Sequence, residues 1–281
     1  MKNFIVRALT GLVYVALLVG CTVFSPVSAF FFFALVAAGC VLEFCGLMNR
    51  HEGASVVSYL NALGAVLLSS AVWLMCIGSP SAGQMIALYG LLLLYILVSE
   101  LYRRADNPLR NWALSILSQV YVALPFSLLP MLSVQYNAAE NNLAYNWIYP
   151  LSLFAFLWTN DTGAYLFGMA LHRYIPLKLF PRISPKKSWV GSVGGGLLTL
   201  AAAFAIWKIQ PGTLTLWQWL GFALTVVVFG TWGDLVESLQ KRHLGIKDSG
   251  QILPGHGGLL DRFDSALLAI PAVVIYFILC H

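Results

Sequence analysis

A polytopic all-α membrane protein is expected from this chain, on three grounds. It is 59% hydrophobic and only 10% charged over 281 residues, whereas soluble domains carry roughly 25% charged residues. Apolar runs of about 20 residues, the length that crosses a bilayer core as a helix, recur along most of it. The short alternating segments of a transmembrane barrel dominate nowhere. The net charge is +5, but the basic residues are scattered through short connections and form no stripe, so nucleic acid is not expected as a partner. The five cysteines (Cys21, Cys40, Cys45, Cys76 and Cys280) lie in apolar runs without metal-ligand spacing and read as small packing residues.

About nine spans are expected, near residues 5–24, 28–48, 56–77, 84–101, 112–134, 148–171, 190–209, 214–238 and 263–280. Lys2 and Arg7 precede the first. Its apolar run, Ala8–Phe24, exceeds the roughly 7–15 residues of a signal-peptide core, so a retained helix is expected. The connections then alternate in basic content. Arg50 follows the second span. Arg103, Arg104 and Arg110 follow the fourth, and Arg173, Lys178, Arg182, Lys186 and Lys187 follow the sixth. Lys241, Arg242, Lys247 and Arg262 follow the eighth, while the opposite side has only Lys208. Positive residues favour the cytoplasmic side. The N-terminus is therefore expected in the cytoplasm and the C-terminus outside, in a plasma membrane of bacterial inner-membrane type. Residues 1–135 read as an N-terminal scaffold of about five helices, and residues 148–281 as a C-terminal catalytic part of about four. Within the scaffold, Glu43 and Glu100 stand out, because a carboxylate inside a membrane helix costs about 2.5–3.5 kcal/mol. Both lie near a predicted cytoplasmic end and read as interfacial or inter-helix partners.

The sixth span breaks the apolar pattern with Asn160 and Asp161 in mid-helix. An ionisable group at membrane depth points to function, so Asp161 is expected to face a wet cavity. The loop after it runs from Pro181 to Gly191. Lys186 and Lys187 there, with Ser184 and Ser188, can hold phosphate oxygens by charge-assisted bonds. The glycine-rich start of the seventh span either presents free N–H groups to an anion or makes a small-residue helix contact.

The densest polar stretch spans Asp234 to Asp264. Asp234, Glu237, Ser238 and Lys241 fall on one face if the eighth span continues as helix, and Asp261 and Asp264 share a face at the start of the ninth. The Gly/Pro-rich turn between them, Gly250–Gly258, is expected to bring Asp234 and Asp261 together, with Asp248 nearby. Carboxylates converging without cysteine ligands suit a hard cation such as Mg²⁺, and the interleaved basic residues suit a polyphosphate. Phosphoryl or nucleotidyl transfer is the chemistry this favours. His256 reads either as a phosphate donor or as a plain loop residue.

At these residues the sequence resembles the phosphatidate cytidylyltransferase (CDP-diacylglycerol synthase) family. The resemblance rests on Ser238-Leu239-Gln240-Lys241-Arg242, Lys247-Asp248-Ser249-Gly250, Leu253-Pro254-Gly255-His256-Gly257-Gly258 and Asp261-Arg262-Phe263-Asp264, with Asn160–Tyr165 and Ser184–Trp189 as further motifs. It covers roughly residues 155–275; Gln240 stands where the family usually has an apolar residue. The resemblance implies transfer of a cytidylyl group from CTP to phosphatidate, a membrane lipid, with Mg²⁺ as cofactor. It implies Asp234 and Asp261 as metal ligands, with Asp248 and Asp264 as second choices. Lys186, Lys187, Lys241, Arg242 and Arg262 would hold phosphates. Asn160 and Asp161 would face the cavity or the cytidine, and Ser184, Ser188, Ser238, Lys247 and His256 complete the substrate-binding set. A homodimer is kept as an assembly to test. An ion transporter using the intramembrane acids and a CTP-dependent lipid kinase are the rival readings.

Overall fold

The computed structural model describes residues 2–137, 142–171, 173–250, 252, 255 and 257–280, with side chains from residue 9 onward. The chain is mostly helical and forms two compact units, Met1–Pro150 with Ile246–Phe263, and Leu151–Gly245 with Asp264–His281. Among the described residues seven helices are long and apolar enough to cross a membrane. The molecule is thus a multi-pass membrane protein of the expected class.

The first unit opens with α1 (Lys2–Phe24) and α2 (Pro26–His51). The break between them is written locally: Ser25 caps α2 and Ser28 returns the bond, with Pro26 at the first helical position. Then come α3 (Ser58–Cys76), α4 (Ala82–Arg103) and a broken segment made of α5 (Pro108–Leu117), a π turn (Ser118–Ala123), α6 (Leu124–Ser127) and α7 (Leu129–Ser133). Pro125 has no N–H to give the preceding turn, and the widened turn ahead of it absorbs the fault. Together, Pro108–Ser133 is still one of the seven candidate spans, in line with the span expected near 112–134. Polar side chains join these helices. Asn61, Ser115, Ser118 and Gln119 form one buried hydrogen-bonded cluster, and Ser69 bonds Ser127 at 2.9 Å. Glu100 pairs with Arg103 and accepts from Asn111 Nδ2 at 2.9 Å, the inter-helix role expected of it. A hairpin, β1 (Val134–Asn137) with β2 (Asn142–Tyr145), follows. The Tyr145 hydroxyl, pushed up to about 12 by burial and so protonated at neutral pH, donates to the Thr22 carbonyl at 2.5 Å.

The core of the first unit is the inner face of α2, with Ala37, Cys40, Val41 and Phe44 fully buried. Phe263 stacks edge-on against Phe126 at 5.2 Å. The segment Ile246–Phe263 packs with the N-terminal helices in this unit.

The second unit holds α8 (Ile148–Leu171), a hairpin of β3 (Lys178–Phe180) and β4 (Ser184–Ser188), α9 (Trp189–Ile209), α10 (Leu216–His243) and most of α11 (Leu260–Cys280). Phe156, Trp219 and Phe222 form its buried aromatic centre, with Phe156 edge-on to Phe222 at 5.2 Å. Glycines let α8 and α9 touch backbone to backbone. A Cβ on Gly163 would stand 2.8 Å from the Gly195 Cα, and one on Gly195 would stand 2.5 Å from the Asn160 carbonyl oxygen. Of the expected spans, α8 is not among the seven apolar helices, and α1 counts only from Leu9 as a shorter one. In α8 the residues that lower its apolarity include Asn160 and Asp161.

Candidate active site

Helix α10 starts on a capping box between Thr215 and Gln218, runs unbroken to His243, and ends on Lys241, Arg242 and His243, where cations oppose the carbonyl end of the dipole. Asp234, Glu237, Ser238 and Lys241 consequently share a face, as their spacing predicts. Asp234 uses both oxygens: Oδ1 accepts from the Ser238 hydroxyl at 3.0 Å, and Oδ2 pairs with Lys187 Nζ at 2.5 Å. One turn on, fully buried Glu237 pairs with Lys241 at 3.2 Å.

Lys187 reaches Asp234 from β4, the edge strand of the short hairpin. Pro185 is tolerated there because an edge strand need not donate every N–H. The strand ends on Ser188, whose Oγ accepts from Gly191 N at 3.2 Å and caps α9. Behind it a cavity of about 280 Å³ opens in the second unit. Asn160 and Asp161 from α8, Lys186, Lys187 and Ser188 from β4, and Asp234 from α10 line it. That volume is near the lower end of small-molecule sites. Asn160 is only 4% exposed, and its Oδ1 has no hydrogen-bond partner among the described residues. Asp264 lies within electrostatic reach of Asp234, Lys241 and Asp161. Six residues singled out in the sequence thus meet on one wall. Two of them are cations and two are carboxylates, an arrangement able to hold a polyanion beside a cation. The glycines of α9 divide between the two expected uses: Gly191 lines the cavity, while Gly195 makes the contact with α8.

Other expected site residues stand apart from this cavity's lining. Ser184 opens β4 opposite Phe180. Arg242 is exposed, and its Nε donates to the Ile183 carbonyl at 3.5 Å. In the first unit, Asp261 is 8% exposed and its Oδ2 accepts from Ser249 N at 2.8 Å and Gly258 N at 2.9 Å. Lys247, Asp248 and Arg262 are exposed there. His256 lies outside the described residues. Asp234 falls in the second unit and Asp261 in the first. Among the described residues no group of three His, Cys, Asp or Glu side chains could hold a metal ion by itself.

Sequence reasoning misses Thr231 and reads Glu43 only as an interfacial or inter-helix partner. Thr231 lines the cavity one turn before Asp234, and extending the polar stripe of α10 by three residues would have found it. The Glu43 carboxylate accepts from the Ser249 hydroxyl, from Leu259 N at 2.7 Å and from Leu260 N at 3.2 Å. The cost of burying a carboxylate signalled a partner for it, but nothing local named which.

Comparison with known proteins adds to this geometry. The model of the cytidylyltransferase family matches residues 5–280. A Staphylococcus aureus (strain COL) protein named phosphatidate cytidylyltransferase is 35% identical over 237 residues, 82% of this chain and 83% of that relative. One of the same name from Staphylococcus haemolyticus (strain JCSC1435) is 32% identical over 279 residues, 97% of this chain and 98% of its own length. A third, from Staphylococcus epidermidis, is 33% identical over 256 residues, 88% of each chain. The family match takes in the cavity of the second unit, the loop held by Glu43 and Asp261, and the helices before them: the chain belongs to the cytidylyltransferase family.

Proposed function

We propose that this protein transfers the cytidylyl group of CTP to phosphatidate, giving CDP-diacylglycerol and pyrophosphate for phospholipid synthesis. Family membership supports the reaction class. The observation that brings the reading to this chain is the cavity of the second unit, where Lys186, Lys187, Asp161, Asp234 and a buried Asn160 amide converge. A phosphate oxygen of the lipid attacks the α-phosphorus of CTP. That P–O bond forms as the α–β anhydride bond breaks, and its electron pair leaves with pyrophosphate. The lipid phosphate is already ionised near neutral pH, so no strong general base is required. The protein must instead bring two anions together and hold them in line.

The lysines serve the first need. Lys187 exchanges its bond to Asp234 for phosphate oxygens, and Lys186 beside it adds a second ammonium. Lys241, Arg242, Lys247 and Arg262 are assigned the remaining phosphate charge, and Ser184, Ser188, Ser238 and His256 are assigned hydrogen-bonding roles. Asn160 and Asp161 face the cytidine, the amide offering its buried oxygen to a donor. The donor set fits Mg²⁺, which usually takes one or two carboxylates and fills its shell with water and substrate phosphates, with no need of an all-protein cage. Asp264, within electrostatic reach of both Asp234 and Asp161, adds a carboxylate for that. Asp234 and Asp261 are the first candidates for its ligands, and Asp248 and Asp264 the next; Asp261 comes to the task with Oδ2 already holding two backbone N–H groups. When bound, Mg²⁺ neutralises phosphate charge and polarises the phosphorus. Nine spans with the N-terminus in the cytoplasm put every Lys and Arg except Lys208 on the inner side of the plasma membrane, and with them the site that meets cytoplasmic CTP.

The test is an assay of purified protein in mixed micelles with phosphatidate and CTP labelled in the α-phosphate. Label should enter the lipid phase with Mg²⁺ and stay in water with EDTA. Asp234→Asn and Asp261→Asn should each lose about 10²-fold or more. Lipid labelling untouched by EDTA would remove the metal from the account, and labelling untouched by one of the two variants would remove that aspartate from the site.

A further inference from the structure

The first unit contains a carboxylate that the reaction above does not use. Glu43 sits in α2 and is 6% exposed. Its carboxylate accepts from three donors of one loop: the Ser249 hydroxyl at the loop's start, and the N–H groups of Leu259 and Leu260 where α11 begins. The last two are helix-start donors that have no intrahelical acceptor, and a carboxylate is the group that best satisfies them. Asp261 repeats the arrangement from the other side, taking Ser249 N and Gly258 N on one oxygen. Both ends of the segment from Ser249 to Leu260 are therefore tied to two carboxylates, one of them from a helix more than two hundred residues upstream (a separation of 206 to Ser249). The loop backbone lies directly on Glu43. A Cβ on Gly250 would stand 3.0 Å from the Glu43 carboxyl carbon, and one on Gly258 would overlap its Oε1. No apolar or amide side chain of similar length offers two acceptor oxygens there.

We propose that Glu43 is a positioning residue of this enzyme, which fixes the loop bearing Lys247 and Asp248 and, through the shared Ser249, the carboxylate of Asp261. The inference rests on the cytidylyl-transfer reading for its readout but not for its geometry. Glu43 touches no substrate and acts only through the loop. The α2 helix, read from the sequence as scaffold, thereby becomes part of the catalytic apparatus.

Glu43→Gln, Glu43→Asp, Ser249→Ala and the double variant of Glu43→Gln with Ser249→Ala test this in the micelle assay. Glu43→Gln turns an amide toward backbone donors. It should lower kcat about 10²-fold, the size of effect that a displacement of about 1 Å produces, with both KM values changed less than about threefold. Glu43→Asp keeps the charge and should recover at least about tenfold of that loss. Ser249→Ala should lose about fivefold, and the double variant no more than Glu43→Gln alone. In detergent, trypsin should cut after Lys247 faster in Glu43→Gln than in wild type, with cleavage after Arg104 unchanged. A kcat within about twofold of wild type overturns the proposal. So does cleavage that rises equally at both sites with no recovery in Glu43→Asp, which is the behaviour of a residue that merely stabilises α2. If wild type labels no lipid, the reaction reading has failed, and the trypsin comparison still decides the position of the loop.

Discussion

Lys187 and Asp234 meet on the cavity wall, with about a quarter of each side chain exposed (25% and 27%). A pair this accessible contributes only about 0–1 kcal/mol to stability, so its purpose should show in turnover. Lys187→Met is expected to lower kcat/KM by about 10²–10³-fold, the cost of losing one charge-stabilising donor, while the Tm in detergent moves little. A large fall in Tm with unchanged activity would make Lys187 a structural residue. The two candidate metal ligands should separate by the same pair of measurements. Asp261 holds two backbone N–H groups in a buried setting, so Asp261→Asn should cost about 1–3 kcal/mol of stability in addition to activity. Asp234 bonds the side chains of Ser238 and Lys187 and is itself about a quarter exposed, so Asp234→Asn should lose activity with a smaller change in Tm. Equal falls in Tm for the two variants would contradict the assigned difference. These residues were legible in the sequence because polar groups inside apolar helices are costly and need a reason. Glu43 was legible as an anomaly only, since its partners lie far along the chain.

At the scale of elements, α8 and α9 touch backbone to backbone and both contribute residues to the cavity lining. At Gly195 an added methyl would stand 2.5 Å from the Asn160 carbonyl oxygen and 2.8 Å from its Oδ1. Gly195→Ala should therefore overpack the helix pair at a cost of about 1–3 kcal/mol, read as a lower Tm, and should displace Asn160 enough to raise KM for CTP. An alanine variant with wild-type Tm and KM would show that the helices are not held this closely. The expected face of α10 follows from helical spacing alone and is present as read. The short β3–β4 hairpin was not foreseen as strand, because its Pro-Lys-Lys sequence has no apolar alternation. For the same reason the pairing of Ser184 with Phe180 and the bond from Arg242 to Ile183 could not be read in advance. Strand register depends on backbone pairing that leaves no mark in so short a segment.

For the whole molecule, the apolar runs made the class and the approximate helix positions plain. The grouping of the helices was not plain, since Ile246–Phe263 joins the first unit through contacts with α2 and Phe126, and contacts between distant segments have no local signature. The proposed orientation is open to direct measurement. In a cysteine-free background, Asp106→Cys and Pro211→Cys place single thiols at exposed positions in two connections. A membrane-impermeant thiol reagent added to sealed right-side-out vesicles should label the second and spare the first. Labelling of both, or of Asp106→Cys alone, would contradict a cytoplasmic N-terminus with nine spans.

The most direct measurement of the central claim compares two labels in parallel. Purified protein receives phosphatidate, Mg²⁺ and CTP labelled either in the α- or in the γ-phosphate. Cytidylyl transfer moves the α-label into lipid and the γ-label into pyrophosphate. A γ-label that enters lipid while the α-label stays in CDP would contradict it, as would a preparation that leaves both labels in CTP.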